Sequence, residues 1–141
     1  MKRSILLLLT LLPLPGYGAD LTARITGFAN SQGSARLAMF SKSRQELFPN
    51  KGNPDYVRDS VITAGTATIT LSDVPPGEYA IFVYHDSNSN NSLDHKWYGP
   101  PREAFGYYRH FTVKLVPPDF DEVSFQVTDK EMVFNISLQT F

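Results

Sequence analysis

Apolar and polar side chains take turns along much of this chain. Leu21, Ala23 and Ile25 alternate with Thr22, Arg24 and Thr26, and Ala35, Leu37 and Met39 alternate with Ser34, Arg36 and Ala38. Successive strand side chains point to opposite faces, so period two marks a half-buried strand. Asn30, Ser31, Gln32 and Gly33 lie between the two runs and predict that they form a hairpin. Residues 41–58 lose the alternation: Ser43 to Phe48 can make one helical turn, and Pro49, Asn50, Gly52, Asn53 and Pro54 are loop formers, so the stretch reads as an irregular crossover. Ser60 to Ala64 and Thr66 to Leu71 are β-branched runs split by Gly65, a second expected hairpin.

The next run differs. Asp73, Val74, Pro75, Pro76 and Gly77 form a turn, since Pro presets φ and Gly accepts positive φ. In the strand that follows, Tyr79, Ile81, Val83 and His85 share one face while Ala80, Phe82 and Tyr84 share the other. With both faces apolar, it belongs in the middle of a sheet. A long loop is expected from Asp86 to Arg109, then a short strand over His110 to Leu115, another marked by Val123, Phe125 and Val127, and a last one at Met132, Phe134, Ile136 and Leu138. Seven to eight short strands without a long helix predict an all-β, two-sheet β-sandwich of the transthyretin-like or Ig-like kind.

The N-terminus changes the picture of where this domain works. Lys2 and Arg3 precede an apolar run from Ile5 to Leu12, which Pro13 and Pro15 interrupt before Gly16, Tyr17, Gly18 and Ala19. That order of charged, apolar and small residues predicts a secretory signal. The run is shorter than the roughly 18 apolar residues a membrane span needs, so no stable anchor is expected. Cleavage after Gly18 leaves small residues at both recognition positions. Residues 1–18 are therefore expected to be a signal peptide, and 19–141 a single domain, periplasmic or secreted.

With no Cys in its 141 residues, the chain has no disulfide, no thiolate metal site and no lipid attachment point, and its core must hold it together alone. The formal charge of −1 becomes more acidic by two when Lys2 and Arg3 leave, and no basic block remains. Nucleic acid and anionic membrane surfaces are not implied as partners. An aromatic share of 13% against 19% charged residues favours a packed globule over disorder.

The run Asp73, Val74, Pro75, Pro76, Gly77, Glu78, Tyr79 through His85 and Asp86, followed by Asn88, Asn90 and Asp94, resembles the DUF 2141 family of exported bacterial proteins of unknown function. Gly99, Pro101, Glu103, Gly106 and the segment from Pro117 to Phe125 extend the resemblance over almost all of residues 19–141. The chain departs from the family at Ser89 and Asn91, where Gly is usual, and at Tyr108 and Arg109. The Pro-Pro-Gly-x-Tyr turn is also similar to turns in transthyretin-like and collagen-adhesin B-type sandwiches. The resemblance implies the fold and brings no catalytic residue with it.

Candidate chemistry gathers in the 86–109 loop. Asp86, Asn88, Asn90, Ser92 and Asp94 place oxygens at the alternate positions of a calcium loop, and a hard cation wants such a shell. Yet Trp97 stands where the bidentate Glu belongs and Asn91 where Gly belongs, so Glu103, Asp119 or Asp121 would have to complete a weak site. The structural alternative, which takes precedence, is a chain of Asx-turns in which these side chains accept backbone N–H groups.

His85, His95 and His110 bracket the loop, and His85 beside Asp86 could serve a small metal- or His-dependent hydrolase or isomerase; a strand-end His fixing the loop's exit is the plainer expectation. Trp97, Tyr98, Phe105, Tyr107 and Tyr108 could form a platform for a sugar or peptide, or a small core for the loop itself. The sequence supports a non-enzymatic envelope module that binds an unidentified ligand or envelope protein through this loop. His85, Trp97, Tyr98, Glu103 and Tyr107 are the candidate ligand residues, calcium is the one cofactor to consider, and a purely structural role is the remaining alternative.

Overall fold

The computed structural model describes residues 18–109, 112, 114 and 116–141. The expected signal sequence lies outside them, apart from Gly18, as does His110. The strand expected over residues 110–115 falls largely outside them as well; the described residues 112 and 114 carry no regular structure.

Alternation becomes strand where expected. β1 (Ala19–Thr26) buries Ala19, Leu21, Ala23 and Ile25, and β2 (Ser34–Ser41) buries Ala35, Leu37 and Met39. A 3-10 helix (Lys42–Leu47) occupies the expected helical turn. β3 (Tyr56–Ser60), β4 (Thr66–Val74), β5 (Gly77–Asp86) and β6 (Phe105–Tyr107) follow. The single helical turn α1 (Phe120–Val123), closed by a capping box between Asp119 and Glu122, precedes β7 (Phe125–Val127) and β8 (Met132–Ser137). Val123, expected to open a strand, belongs to α1.

Two sheets pack face to face: a three-stranded one in the order β4-β1-β8, with β1 and β8 parallel, and a larger one in the order β3-β2-β5-β6, with β7 pairing with β5 beyond β6. β5 is central, as its two apolar faces predicted. It pairs with β2 along one edge and with β6 and β7 along the other.

Both hairpin expectations need correction. β1 and β2 lie in different sheets, because the 27–33 link carries the chain across the sandwich. Gly27 and Gly33 hold φ of 91° and 68° there, and a Cβ on either would strike backbone, at Leu138 and Asp86 respectively. The turn at Ala64 and Gly65 does form, with φ of 50° and 77° at its two central residues, as a hairpin turn of the I′ kind requires. Its ladder stops at the Thr63–Thr66 bridge, after which β4 leaves to pair with β1. The strand before it sits earlier than expected, at Tyr56–Ser60 against β2.

Two apolar clusters result, one on each face of β5. The larger lies between the sheets and includes Leu21, Ile25, Leu37, Ile69, Ile81, Val83 and Ile136. The smaller lies on the outer face of the five-stranded sheet and includes Phe40, Phe48, Ala80, Phe82, Tyr84, Phe105, Tyr107 and Phe120. Connecting segments cover this outer cluster, and none of its core members is more than 7% exposed.

Candidate functional site

The segment after β5 is a knot of side-chain-to-backbone bonds. Asp86 is 1% exposed; its Oδ1 accepts the Asn90 N–H at 3.1 Å and its Oδ2 the Asn91 N–H at 2.8 Å. Asn88 Oδ1 accepts the Asn90 N–H at 3.3 Å and Asn90 Oδ1 the Ser92 N–H at 3.0 Å, two Asx-turns in series. Ser89 and Asn91 take left-handed φ of 57° and 61°, the conformation for which Gly would be the unstrained choice.

Asn88 and Asn90 turn their Nδ2 donors toward Asp94, at 2.7 and 2.9 Å. Four of the five side chains expected to face a calcium ion, Asp86, Asn88, Asn90 and Asp94, thus have their oxygens engaged within the loop, and Ser92 enters it through its backbone N–H. Glu103 closes the knot: Oε1 accepts from Ser87 N and Oγ, each at 2.9 Å, and Oε2 accepts the Asp94 N–H at 3.0 Å. Among the described residues no three His, Asp or Glu side chains gather as metal ligands would.

His85 and Asp86, neighbours on a strand, point to opposite faces, so they do not form the acid–base pair that a His85-centred enzyme would use. The His85 Nε2–H donates to the Gln32 carbonyl at 2.7 Å, and Phe28 meets its ring edge-on at 5.3 Å. His85 and Glu103 do share an open polar cleft of about 400 Å³ with Asn30, Asn88 and Arg102. His85 Nε2 and both Glu103 oxygens are already engaged in holding the chain together.

The expected aromatic platform is dispersed. Trp97 and Tyr98 sit at the tip of a small turn closed by the His95–Pro101 bridge, with Trp97 95% exposed and touching Tyr98 edge-on at 5.4 Å. Phe105 and Tyr107 are buried in β6, so the 86–109 segment is not a structureless loop. Tyr108 packs on the other side, against Phe125 at 4.8 Å and Phe134 at 4.3 Å. The candidate ligand residues therefore scatter: His85 and Glu103 in the polar cleft, Tyr107 in the outer cluster, Trp97 and Tyr98 in solvent.

A different cavity lies over the outer cluster. Its floor is Ala38 and Phe40 from β2 with Phe82 and Tyr84 from β5; Pro49, Asn50, Asn53 and Pro54 wall one side and Asn91, Ser92 and Leu93 the other. It encloses about 400 Å³. A narrower pocket of about 90 Å³ shares Pro49, Asn50, Phe82 and Leu93 with it and runs on to Phe105 and Tyr107. Arg36 lies at its edge, where Nη1 donates to both oxygens of Asp59, at 3.1 and 2.8 Å, and to Asn91 Oδ1 at 2.9 Å. The Asx knot thus positions the wall: Asp86 fixes Asn91, and Asn91 receives Arg36.

Burial pushes the Tyr84 phenol up to about 12, outweighing the pull of the Arg36 guanidinium, and burial pushes Tyr107 higher still. Both are therefore neutral donors at physiological pH. A phenol whose folded value is raised keeps its proton where the unfolded chain loses it, so its contribution is complete below about pH 10 and declines as pH rises toward the folded value. The melting temperature is expected to fall between about pH 10 and 12, and to fall less steeply in Tyr84→Phe; equal slopes in thermal melts of the two proteins would contradict this.

Two sheets, mixed pairing in the smaller and a groove over the outer face of the larger define a β-sandwich protein. The chain belongs to the family described as an uncharacterized protein conserved in bacteria, DUF2141, whose profile matches residues 23–135. No curated protein matches the chain. A solved structure of a fimbrial assembly protein from Parabacteroides distasonis is similar at 10% identity and a TM-score of 0.44, over 87% of this chain and 53% of that one. This chain thus spans about half the length of that structure.

Proposed function

We propose that this protein is an exported, non-enzymatic binding module that holds a small ligand in the groove over its five-stranded sheet, with the 86–109 segment supplying one wall. The observation that carries this reading is the open cavity of about 400 Å³ over an aromatic floor with an amide-rich rim, a volume within the range of small-molecule sites. Among the described residues that line it, none is His, Asp or Glu, so the groove offers binding groups and no carboxylate or imidazole to move a proton.

The ordering of the wall by Asx-turns supports a site that is formed before its ligand arrives, which limits the entropy lost on binding. Export is supported by the Lys2 and Arg3 start, the apolar run from Ile5 to Leu12 and the small residues Gly16 and Gly18 that follow. Among the described residues no helix is long and apolar enough to cross a membrane.

Amide NMR spectra of residues 19–141, titrated with a set of neutral disaccharides, aromatic carboxylates and dipeptides, test the reading. Shifts should concentrate at Arg36, Phe82, Tyr84 and Asn91, and Ala38→Trp, which fills the groove from β2, should abolish them without unfolding the chain. Shifts confined to the Trp97–Tyr98 tip or the His85 cleft would move the site elsewhere.

A further inference from the structure

We infer that the ligand of this groove is a neutral polyhydroxylated ring carrying a small apolar arm, of which an N-acetylhexosamine unit is a compact example; the inference rests on the groove being the binding site. Tyr84 supplies the first reason. The residue is 6% exposed, it lines the groove, and its hydroxyl makes no hydrogen bond among the described residues. The hydroxyl is open to the groove rather than buried, so it can pair with one that a ligand brings, and a protonated phenol both donates to and accepts from a sugar hydroxyl.

Charge supplies the second. Arg36 is the one ionised side chain among the described residues of the wide groove, and its Nη1 is bound by both Asp59 oxygens and by Asn91. A cation already neutralised gives little advantage to a phosphate or carboxylate, and no acidic side chain of the groove awaits an amine. What remains for recognition in the wide groove is uncharged, namely the amides of Asn50, Asn53 and Asn91, the Ser92 hydroxyl and the Tyr84 phenol, with Lys114 the one further cation, at the edge of the side pocket. The apolar surface offered to a ring-shaped ligand is narrow, since Phe40, Phe82 and Tyr84 are 1%, 3% and 6% exposed, and Ala38, Pro49, Pro54 and Leu93 add to it.

The side pocket supplies the third. At about 90 Å³ it is too small for a second ring, and Phe82, Leu93, Pro101 and Phe105 line part of it with carbon, beside Asn50, Tyr107 and the exposed His95 and Lys114. A methyl-bearing substituent such as an acetamido group fits there while the parent ring rests on the aromatic floor.

Calorimetry and amide NMR with N,N′-diacetylchitobiose, cellobiose and digalacturonate as probes decide the matter. Diacetylchitobiose should bind about tenfold more tightly than cellobiose, digalacturonate no more tightly than cellobiose, and Tyr84→Phe, which keeps the ring, should weaken diacetylchitobiose about tenfold at unchanged melting temperature below pH 9. Equal affinity for the two neutral sugars, tighter binding of the acid in the groove, or indifference to Tyr84→Phe would overturn the ligand class while leaving the groove as the site. If none of the three probes moves the resonances of Arg36, Tyr84 and Asn91, the ligand class fails; if in addition the aromatic acids and dipeptides leave them still, the groove reading fails with it.

Discussion

Asp86→Ala should cost this protein about 3 kcal/mol, a large share of the roughly 5–15 kcal/mol that holds a domain of this size together. The carboxylate is buried, and both of its oxygens are committed to backbone, one to the Asn90 N–H and one to the Asn91 N–H. Alanine removes both acceptors at once. The Asn90 N–H keeps a long contact to Asn88 Oδ1 at 3.3 Å, whereas the Asn91 N–H loses the one acceptor shown for it.

The damage should spread in a defined direction. Asn91 holds Arg36, and Arg36 and Asn91 both line the groove, so the loss of Asp86 loosens one wall before it reaches the core. Asp86→Asn should cost less, since its Oδ1 can still accept one of the two N–H groups while its Nδ2 faces the other. Urea unfolding of the two variants against the parent chain measures both figures, and a cost below about 1 kcal/mol for Asp86→Ala would show that the knot contributes little.

Strand positions were legible because burial imposes a period. Leu21, Ala23 and Ile25 are buried as their alternation predicts, and the double-faced apolar run around Ile81 and Phe82 marks β5 as central. Pairing was not legible, because alternation tells which side of a strand is covered and says nothing of the strand beside it. β1 and β2 are neighbours in sequence, yet β1 lies between β4 and the parallel β8, both reached by long excursions of the chain. β6 escaped notice for a different reason: three residues, one of them Gly106, are too few to show a period, and Phe105 and Tyr107 read as loop aromatics.

The site was legible only in part. The Asx-turns follow from residue type and spacing, so the order of the 86–94 segment could be foreseen. The groove could not, because it is assembled from separate parts of the chain. Arg36 read as the polar half of an alternation, Pro49 and Asn50 as loop formers, and Tyr84 as one more apolar position. One signal was present: a phenol on an otherwise apolar strand face needs a partner for its hydroxyl, and the same-face residue directly across from Tyr84 on β2 is Arg36.

The second large effect concerns β5, whose successive residues serve different clusters. Ile81 is fully buried between the sheets, while Phe82 is 3% exposed on the outer face and floors the groove. Cutting either back to alanine should cost about 3–5 kcal/mol, since each leaves a cavity that its close-packed neighbours fill only partly. If the outer cluster were a loosely attached cover, Phe82→Ala would melt it first, and tyrosine fluorescence would change before far-ultraviolet dichroism.

The architecture argues otherwise. Phe82 shares its strand with Ile81 and Val83, and β5 carries the ladders to β2, β6 and β7, so the outer face cannot open without disturbing the strand on which the inner core rests. Both variants are therefore expected to unfold in one transition, coincident by the two probes and displaced to lower denaturant. Coincidence would mean that the groove's floor is as firmly held as the sandwich itself, which is the condition for a rigid site; separate transitions for Phe82→Ala would make the floor a part that yields on its own.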